Sequence, residues 1–379
     1  MLWFVSIALA LYSLIHVYII LRVKYLLVGY PDLYRWVFWI LVIFILMYPV
    51  GRILESFADS GIFKLMVHIG SFWIAVMAYL VISLLLLDII TLIFKISSVQ
   101  LLSQPKINLI IFLSLISTIF IAVVIGNINA NTIHIKHQDI EIRKPELTPG
   151  EIKIALITDI HLGTIIRNSY LKKIVDKTNS QNPDLILLGG DIVDEDVNTV
   201  IRQNMDQILK DLKAPLGTWA ITGNHEFISR QADAMEEYLK RAGITMLRDS
   251  TAMIDSNIVL VGREDRAAYN FKRYSRKSLN SLLNGIDPTK HLIILMDHQP
   301  FHLQEAEMNQ VDIQVSGHTH HGQFFPFNGI TNIVYEKSWG YHRRGDTHYY
   351  VSCGAGTWGP RVRLGNRPEI VILHVKINN

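Results

Sequence analysis

The chain reads as an all-α membrane region followed by an α/β domain. Two observations predict this. Four long apolar runs crowd the first 126 of 379 residues. Beyond them, short apolar runs alternate with amphipathic stretches, as strands and helices do in α/β folds. Composition agrees: 50% of residues are hydrophobic and 18% charged, too apolar for an ordinary soluble protein. The formal net charge of +3 is small and points to no nucleic-acid partner. Cys353 is the single cysteine, which excludes an intramolecular disulfide and a thiolate metal cluster.

The apolar runs are Leu2 to Leu21, Tyr34 to Val50, Leu65 to Phe94 and Ile107 to Gly126. A span needs about 20 mostly apolar residues. The first, third and fourth meet that length. The second is shorter and ends at Pro49, so it reads as a tilted or a re-entrant span. Tyr30, Trp36, Trp39 and Tyr48 lie near run ends, where interfacial aromatics belong. A cleaved signal peptide fits poorly: no basic residue precedes the first run, no small-residue cleavage site follows, and three more runs come after. Asp88 and His68 fall inside the third run, and we expect them near a helix end. Arg22 and Lys24, directly after the first run, favour an outer N-terminus. Four crossings then put the second half of the chain on the outer face too. If the second run does not cross, the side flips.

After Gly126 the character changes, and thirteen of the fifteen histidines lie there. We expect a membrane region over 1–126, a linker and first strand over 127–150, and a catalytic domain over 151–379. Residues 132–142 alternate like a strand, and "KPELTPGE" is a turn. Buried strands are expected at 152–158, 184–190, 216–223, 257–262, 291–297 and 311–317. Helices are expected at "NSYLKKIVDKTNSQ", "NTVIRQNMDQILKDL", "RQADAMEEYLKRAG" and "SRKSLNSLLNG". The tail, with "THYYVSC" and "PEIVILHVKI", looks all-β.

Five strands end in metal-ligand chemistry. "TDIHLG" offers Asp159 and His161. "GGDIVD" offers Asp191 and Asp194. "GNHE" offers Asn224, His225 and Glu226. "DHQP" offers Asp297 and His298, and "SGHTHHGQ" offers His318, His320 and His321. Any one of these has a bland reading, such as a helix N-cap or a His-rich turn. All five after buried strands point instead to one site beyond the carboxyl ends of a sheet. Asp159, His161, Asp191, Asn224, His298, His318 and His320 make seven ligands, too many for one tetrahedral ion. They suit two ions sharing a carboxylate. If D-x-H and H-x-H are extended, their paired side chains point the same way.

This order of motifs resembles that of the calcineurin-like metallophosphoesterases. The resemblance covers about residues 131 to 379. It implies a four-layer α/β/β/α sandwich and hydrolysis of phosphate esters or phosphoanhydrides. It also implies that Asp159, His161 and His320 hold one ion and Asn224, His298 and His318 the other, with Asp191 bridging. His225 would donate a proton to the leaving oxygen, and Asp194 and Glu226 would orient ligands. The ending "VSCGAGTWGPRVRLGNRPEIVILHV" resembles the membrane-associated branch of the family. That branch commonly reads G-H-T-H-G-G-Q, and His321 stands here for the first glycine of the pair. Its imidazole either contacts substrate or faces solvent. The mixed N/O ligand set accommodates two divalent ions of Mn, Fe or Zn.

Four spans do more than tether, so a lipid-linked substrate at the bilayer surface is expected. UDP-2,3-diacylglucosamine is one family precedent, which would require a cytoplasmic site. The stretch 262–278 carries Arg263, Arg266, Lys272, Arg273, Arg276 and Lys277 among Tyr269, Phe271 and Tyr274. It suits anionic headgroups or a diphosphate, or is a solvated helix start. The alternatives are a nuclease, a phosphatase on a water-soluble substrate, or a transporter or scaffold whose soluble domain has lost its chemistry.

Overall fold

The computed structural model describes residues 2–96, 102, 104–194, 196–272 and 275–378. Two compact units result: Met1–Asn127 with Gly359–Val362, and Ile128–Trp358 with Arg363–Asn379.

The first unit holds helices α1 (Leu2–Leu26), α2 (Pro31–Phe57), α3 (Gly61–Ile96) and α4 (Pro105–Ala130). All four contain a stretch long and apolar enough to span a bilayer, and at most 17% of any such stretch is buried inside the protein. Apolar side chains turned outward on every helix are what lipid covers. The second run is not short. α2 continues through Pro49 to Phe57, because one lost N–H bond is tolerated inside a packed apolar helix. Gly70 of α3 sits against the backbone of Met47 and Tyr48, just before that proline, where a Cβ would collide. Asp88 is no isolated charge: it pairs with Arg22 and accepts a 2.8 Å hydrogen bond from the Tyr18 hydroxyl. Trp73 Nε1 donates to His16 Nε2 at 2.9 Å, a polar contact the apolar pattern concealed.

The second unit contains two six-stranded sheets. Its strands are β1 (His134–Arg143), β2 (Gly150–Ile157), β3 (Leu185–Leu188), β4 (Thr218–Ala220), β5 (Thr245–Met246), β6 (Ser250–Met253), β7 (Ile258–Gly262), β8 (Leu292–Met296), β9 (Ile313–Ser316), β10 (Gly340–Arg344), β11 (Thr347–Val351) and β12 (Glu369–Asn378). One sheet runs β1-β12-β2-β3-β4-β5, the other β10-β11-β9-β8-β7-β6. β2, β3 and β4 are parallel neighbours, as are β7, β8 and β9. Leu156, Leu187, Leu260, Ile294, Met296 and Val315 meet in one core cluster between the sheets. The other face of β7 and β8 packs Val259, Val261, Ile293 and Leu295 against Leu279, Leu282, Leu303 and Ala306. Strands covered on both faces read as continuous apolar runs, which is the pattern of this α/β/β/α sandwich.

The helices are shorter than expected. Residues 198–212 break into Val197–Arg202 and Met205–Leu209 at Asn204, which is left-handed (φ 50°). Only Leu279–Leu282 is helical in "SRKSLNSLLNG".

Candidate metal centre

The five ligand-bearing loops do not leave one row of strands. Those after β2, β3 and β4 leave one sheet, and those after β8 and β9 leave the other. The site therefore lies where the carboxyl ends of two facing sheets converge. The backbone corrects a second expectation. Asp159, His161, Asp191, His318 and His320 all have positive φ, at 52°, 54°, 49°, 71° and 45°. None is extended, so strand alternation does not aim these side chains. Left-handed non-glycine residues cost of order 1–3 kcal/mol each. Five clustered at one place are strain held by the surrounding fold.

These turns bring three ligand groups together: Asp159, His161 and His320; His161, Asp191 and His225; and Asp191, His298 and His318. In each, one candidate ligand atom per residue lies within 4.8 Å of the others. His318 and His320 thus diverge into different groups, while Asp191 belongs to two. His161 Nε2 and His320 Nε2 are 3.0 Å apart, and His298 Nε2 lies 3.2 Å from Asp191 Oδ2. His298 Nδ1 is 2.8 Å from the Gly189 carbonyl, to which it donates, so Nε2 is the nitrogen that faces Asp191. Asn224 opens the helix Asn224–Ile228, and its buried Oδ1 has no hydrogen-bond partner. Converging imidazole lone pairs, carboxylates and an orphaned amide oxygen are a donor set suited to divalent cations.

Backbone amides lock the loops to each other. His318 N–H donates to Asp159 Oδ1 (2.9 Å), and His225 N–H to Asp191 Oδ1 (2.9 Å). The buried Glu226 carboxylate collects the N–H groups of Gly223 (2.7 Å), Asp191 (3.2 Å), Ile192 (2.9 Å) and Val193 (3.2 Å). Asp194 Oδ1 faces both His161 Nδ1 (3.4 Å) and His225 Nδ1 (3.3 Å). Glycine is required at 223 and 317, where a Cβ would overlap the carboxylates of Asp191 and Asp159.

The electrostatics sort the imidazoles. Burial alone would lower the pKa of His298, but Asp191, Asp159 and Asp265 overcome it and hold it well above its ordinary value. Burial also opposes the charge on His225, yet Asp191 and Asp194 push it up to about 10. His318 is pushed down to about 3 by burial and then by the neighbouring His298. His320 is held well below its ordinary value by burial, His161 and Arg363. Burial pushes the Asp191 carboxyl up, but His298 and His225 hold it well below the usual range. So many imidazoles cannot all charge in one desolvated space, and the neutral ones offer lone pairs.

Among the described residues of 262–278, most cations are already engaged. Arg263 is buried and donates to Asp297 (3.4 Å) and Glu305 (2.6 Å). Arg276 donates to Asp297 (2.8 Å), and Lys277 gives its backbone N–H to the Asp249 carboxylate (2.8 Å) and its Nζ to the Asp249 backbone carbonyl (3.1 Å). Buried carboxylates at 249 and 297 need this compensation. Arg266 differs: its guanidinium lies 5.3 Å from the Phe301 ring centroid, and its buried Nε has no partner. It lines a cavity of about 350 Å³ with Arg263, Arg276, Tyr269, His302 and Glu305. Arg273 lies outside the described residues. His321 is half-buried, 3.1 Å from the Ser338 hydroxyl and 5.0 Å from the Trp339 ring centroid.

Arg363 was given no role by sequence reasoning. It is wholly buried, donates to the carbonyls of Cys353 (2.7 Å) and Gly356 (2.6 Å), and approaches His320 Nδ1 at 3.2 Å. Its only sequence signal was an arginine in a glycine-rich loop before the last strand.

Residues 152–322 match the family model described as calcineurin-like phosphoesterase. An uncharacterized metallophosphoesterase of Campylobacter jejuni is 32% identical over 272 residues, covering 71% of this chain and 70% of that one. One from Aquifex aeolicus is 31% identical over 262 residues, covering 68% of this chain and 98% of its own. A Danio rerio protein named transmembrane protein with metallophosphoesterase domain is 32% identical over 252 residues, covering 63% of this chain and 56% of that one.

Proposed function

Because this chain belongs to the calcineurin-like metallophosphoesterases and carries four candidate membrane spans, we propose that it hydrolyses a phosphate ester or pyrophosphate bond of a lipid-linked substrate at the bilayer surface. The observation that carries the reading is Asp191, whose carboxylate is shared between the His161–His225 and the His298–His318 groups. Asp159, His161 and His320 would hold one ion and Asn224, His298 and His318 the other, with the Asp191 carboxylate placed to serve both. Two divalent cations of Mn, Fe or Zn held there would supply Lewis-acid stabilisation of the charge that develops at phosphorus.

The chain's own groups do the rest. Asp194, which faces both His161 and His225, sets the orientation of the two rings. Glu226 ties the Asp191 loop to the Asn224 loop through four backbone N–H groups. His225 Nδ1 is 2.7 Å from the Asp194 carbonyl, so its Nε2 is left to carry a proton to the leaving oxygen. Arg266, whose guanidinium has no hydrogen-bonded carboxylate among the described residues, meets a second anionic group of the substrate. Arg22 and Lys24 after the first span argue for an outer-face domain, and that placement disfavours a cytoplasmic nucleotide-linked lipid.

The test is elemental analysis of the full-length chain beside turnover of a lipid phosphodiester and of a water-soluble nitrophenyl ester. Close to two transition-metal ions per chain, lost together with activity on chelation, is the expected result. One ion or none after reconstitution overturns the dinuclear reading. A chain that cleaves only the water-soluble ester overturns the lipid reading.

A further inference from the structure

The helix Asn328–Val334 follows the His318–His321 loop directly, and none of its seven residues is buried. Its sequence, NGITNIV, has no charge and turns three aliphatic side chains to the outside: Ile330 (56% exposed), Ile333 (86%) and Val334 (53%). Phe325, ahead of the helix, and Trp358, whose ring lies 6.4 Å from that of His225, are each 59% exposed. Single exposed apolar residues need no explanation, but an uncharged apolar helix beside a reaction centre does.

This helix is tied to the candidate ligands. Thr319 Oγ1 donates to the Ser338 carbonyl at 2.6 Å, Ser338 hydrogen-bonds Asn332 of the helix, and the Tyr335 ring lies 6.2 Å from His318. Gly322 sits so close to Phe327 and Asn328 that a Cβ would collide. The helix is therefore held in register with the centre while its outer face stays unpartnered.

We propose that Asn328–Val334, with Phe325 and Trp358, is a bilayer-contacting rim that seats the apolar part of an amphiphilic phosphoester while its phosphate reaches the ligand cluster. The occupant is a lipid surface because this same chain carries the spans. α4 ends at Ala130 and β1 begins at His134, so three residues of at most about 3.6 Å each separate a span from the domain. A domain on so short a tether meets lipid at high effective concentration. Exposed aliphatic and aromatic side chains at such a surface gain by leaving water. The inference rests on the lipid-linked reading above for its substrate, but the contact itself is tested without turnover.

The experiment uses full-length chain in phosphatidylethanolamine–phosphatidylglycerol vesicles. Ile333→Cys is labelled with an environment-sensitive fluorophore. Cys353, the single native thiol, is fully buried and stays unlabelled. Nitroxide-bearing acyl chains should quench the label at 333 strongly, and a label at Met308→Cys, 79% exposed, little. No quenching at 333, or equal quenching at both positions, overturns the contact. Shielding at 333 that follows protein concentration without quenching also overturns it and assigns the face to a second copy of the chain. In a second arm, Ile330→Ser, Ile333→Ser and Val334→Ser are combined. The ratio of kcat/KM for hexadecyl over methyl 4-nitrophenyl phosphate should fall roughly tenfold, as aliphatic burial is lost. An unchanged ratio overturns the seat for the apolar part. A wild-type chain that cleaves neither ester sinks the proposed reaction, while the quenching result still decides the contact.

Discussion

Two charged constellations lie beside each other in the catalytic unit, and they behave in opposite ways. In the ligand centre, imidazoles and carboxylates face one another at 3.2–3.9 Å, two imidazoles approach to 3.0 Å, and an amide oxygen is left without a partner. In the arginine cluster of 263–277, cations pair off with Asp297 and Glu305. Both follow buried strands, and both are dense in charge. The difference is compensation: the arginines neutralise carboxylates within the protein, whereas His161 Nδ1, His298 Nε2 and Asn224 Oδ1 are buried without a hydrogen-bond partner. Density of charge after a strand is therefore a weak functional signal, and lack of an internal partner a strong one.

Substitutions in the two regions break this comparison if it is wrong. Asp191→Asn should have the largest effect. It removes the carboxylate shared by two ligand groups, and several kcal/mol of charge stabilisation correspond to roughly a thousandfold or more in turnover. Metal content should fall as well, and near-normal turnover would reject the bridging assignment.

His225→Ala should keep its metal and lose about 10²–10⁴ in kcat, most for esters with poor leaving groups. The pH profile sharpens this. Asp191 and Asp194 raise the imidazolium to about 10 in the metal-free chain, and nearby cations would lower it. Turnover should therefore fall as pH rises through a pKa below 10, and the variant should lack that limb. Equal losses on nitrophenyl and alkyl phosphates contradict the proton-donor role.

Arg276→Met tests the paired region. It removes one of two cations from buried Asp297 and leaves Arg263. The cost should be about 2 kcal/mol, below the 3–5 kcal/mol seen when a buried charge loses its sole partner. A lowered melting temperature with metal content intact is the expected outcome.

The smallest effect belongs to Arg266→Ala. Without a hydrogen-bonded carboxylate, its loss should leave the melting temperature nearly unchanged, and KM for a diphosphate should rise a few-fold. A large drop in stability would show that Arg266 is one more structural cation.

The apolar runs and the strand-end motifs were legible because each is a local pattern of residue type and period, whereas the two-sheet core came only from the family resemblance. The helical run through Pro49 was not. It depends on Gly70 of α3 lying against the backbone beside it, a contact between segments far apart in sequence. The D-x-H spacing found the right residues for a wrong geometric reason. Asp159 and His161 share a ligand group through left-handed turns, and no periodicity reports a strained φ that the surrounding packing sustains.

By itself, then, the sequence determined which residues carry chemistry, that they follow buried strands, and that four helices belong in lipid. Tertiary structure alone decided that left-handed turns aim Asp159, His161, His318 and His320, that Arg263 and Arg276 pair with Asp297, and that wholly buried Arg363 stands beside His320. The reason is that hydrophobic period acts along a few neighbouring residues, whereas the pairing of charges depends on distance and desolvation between segments that meet only after folding.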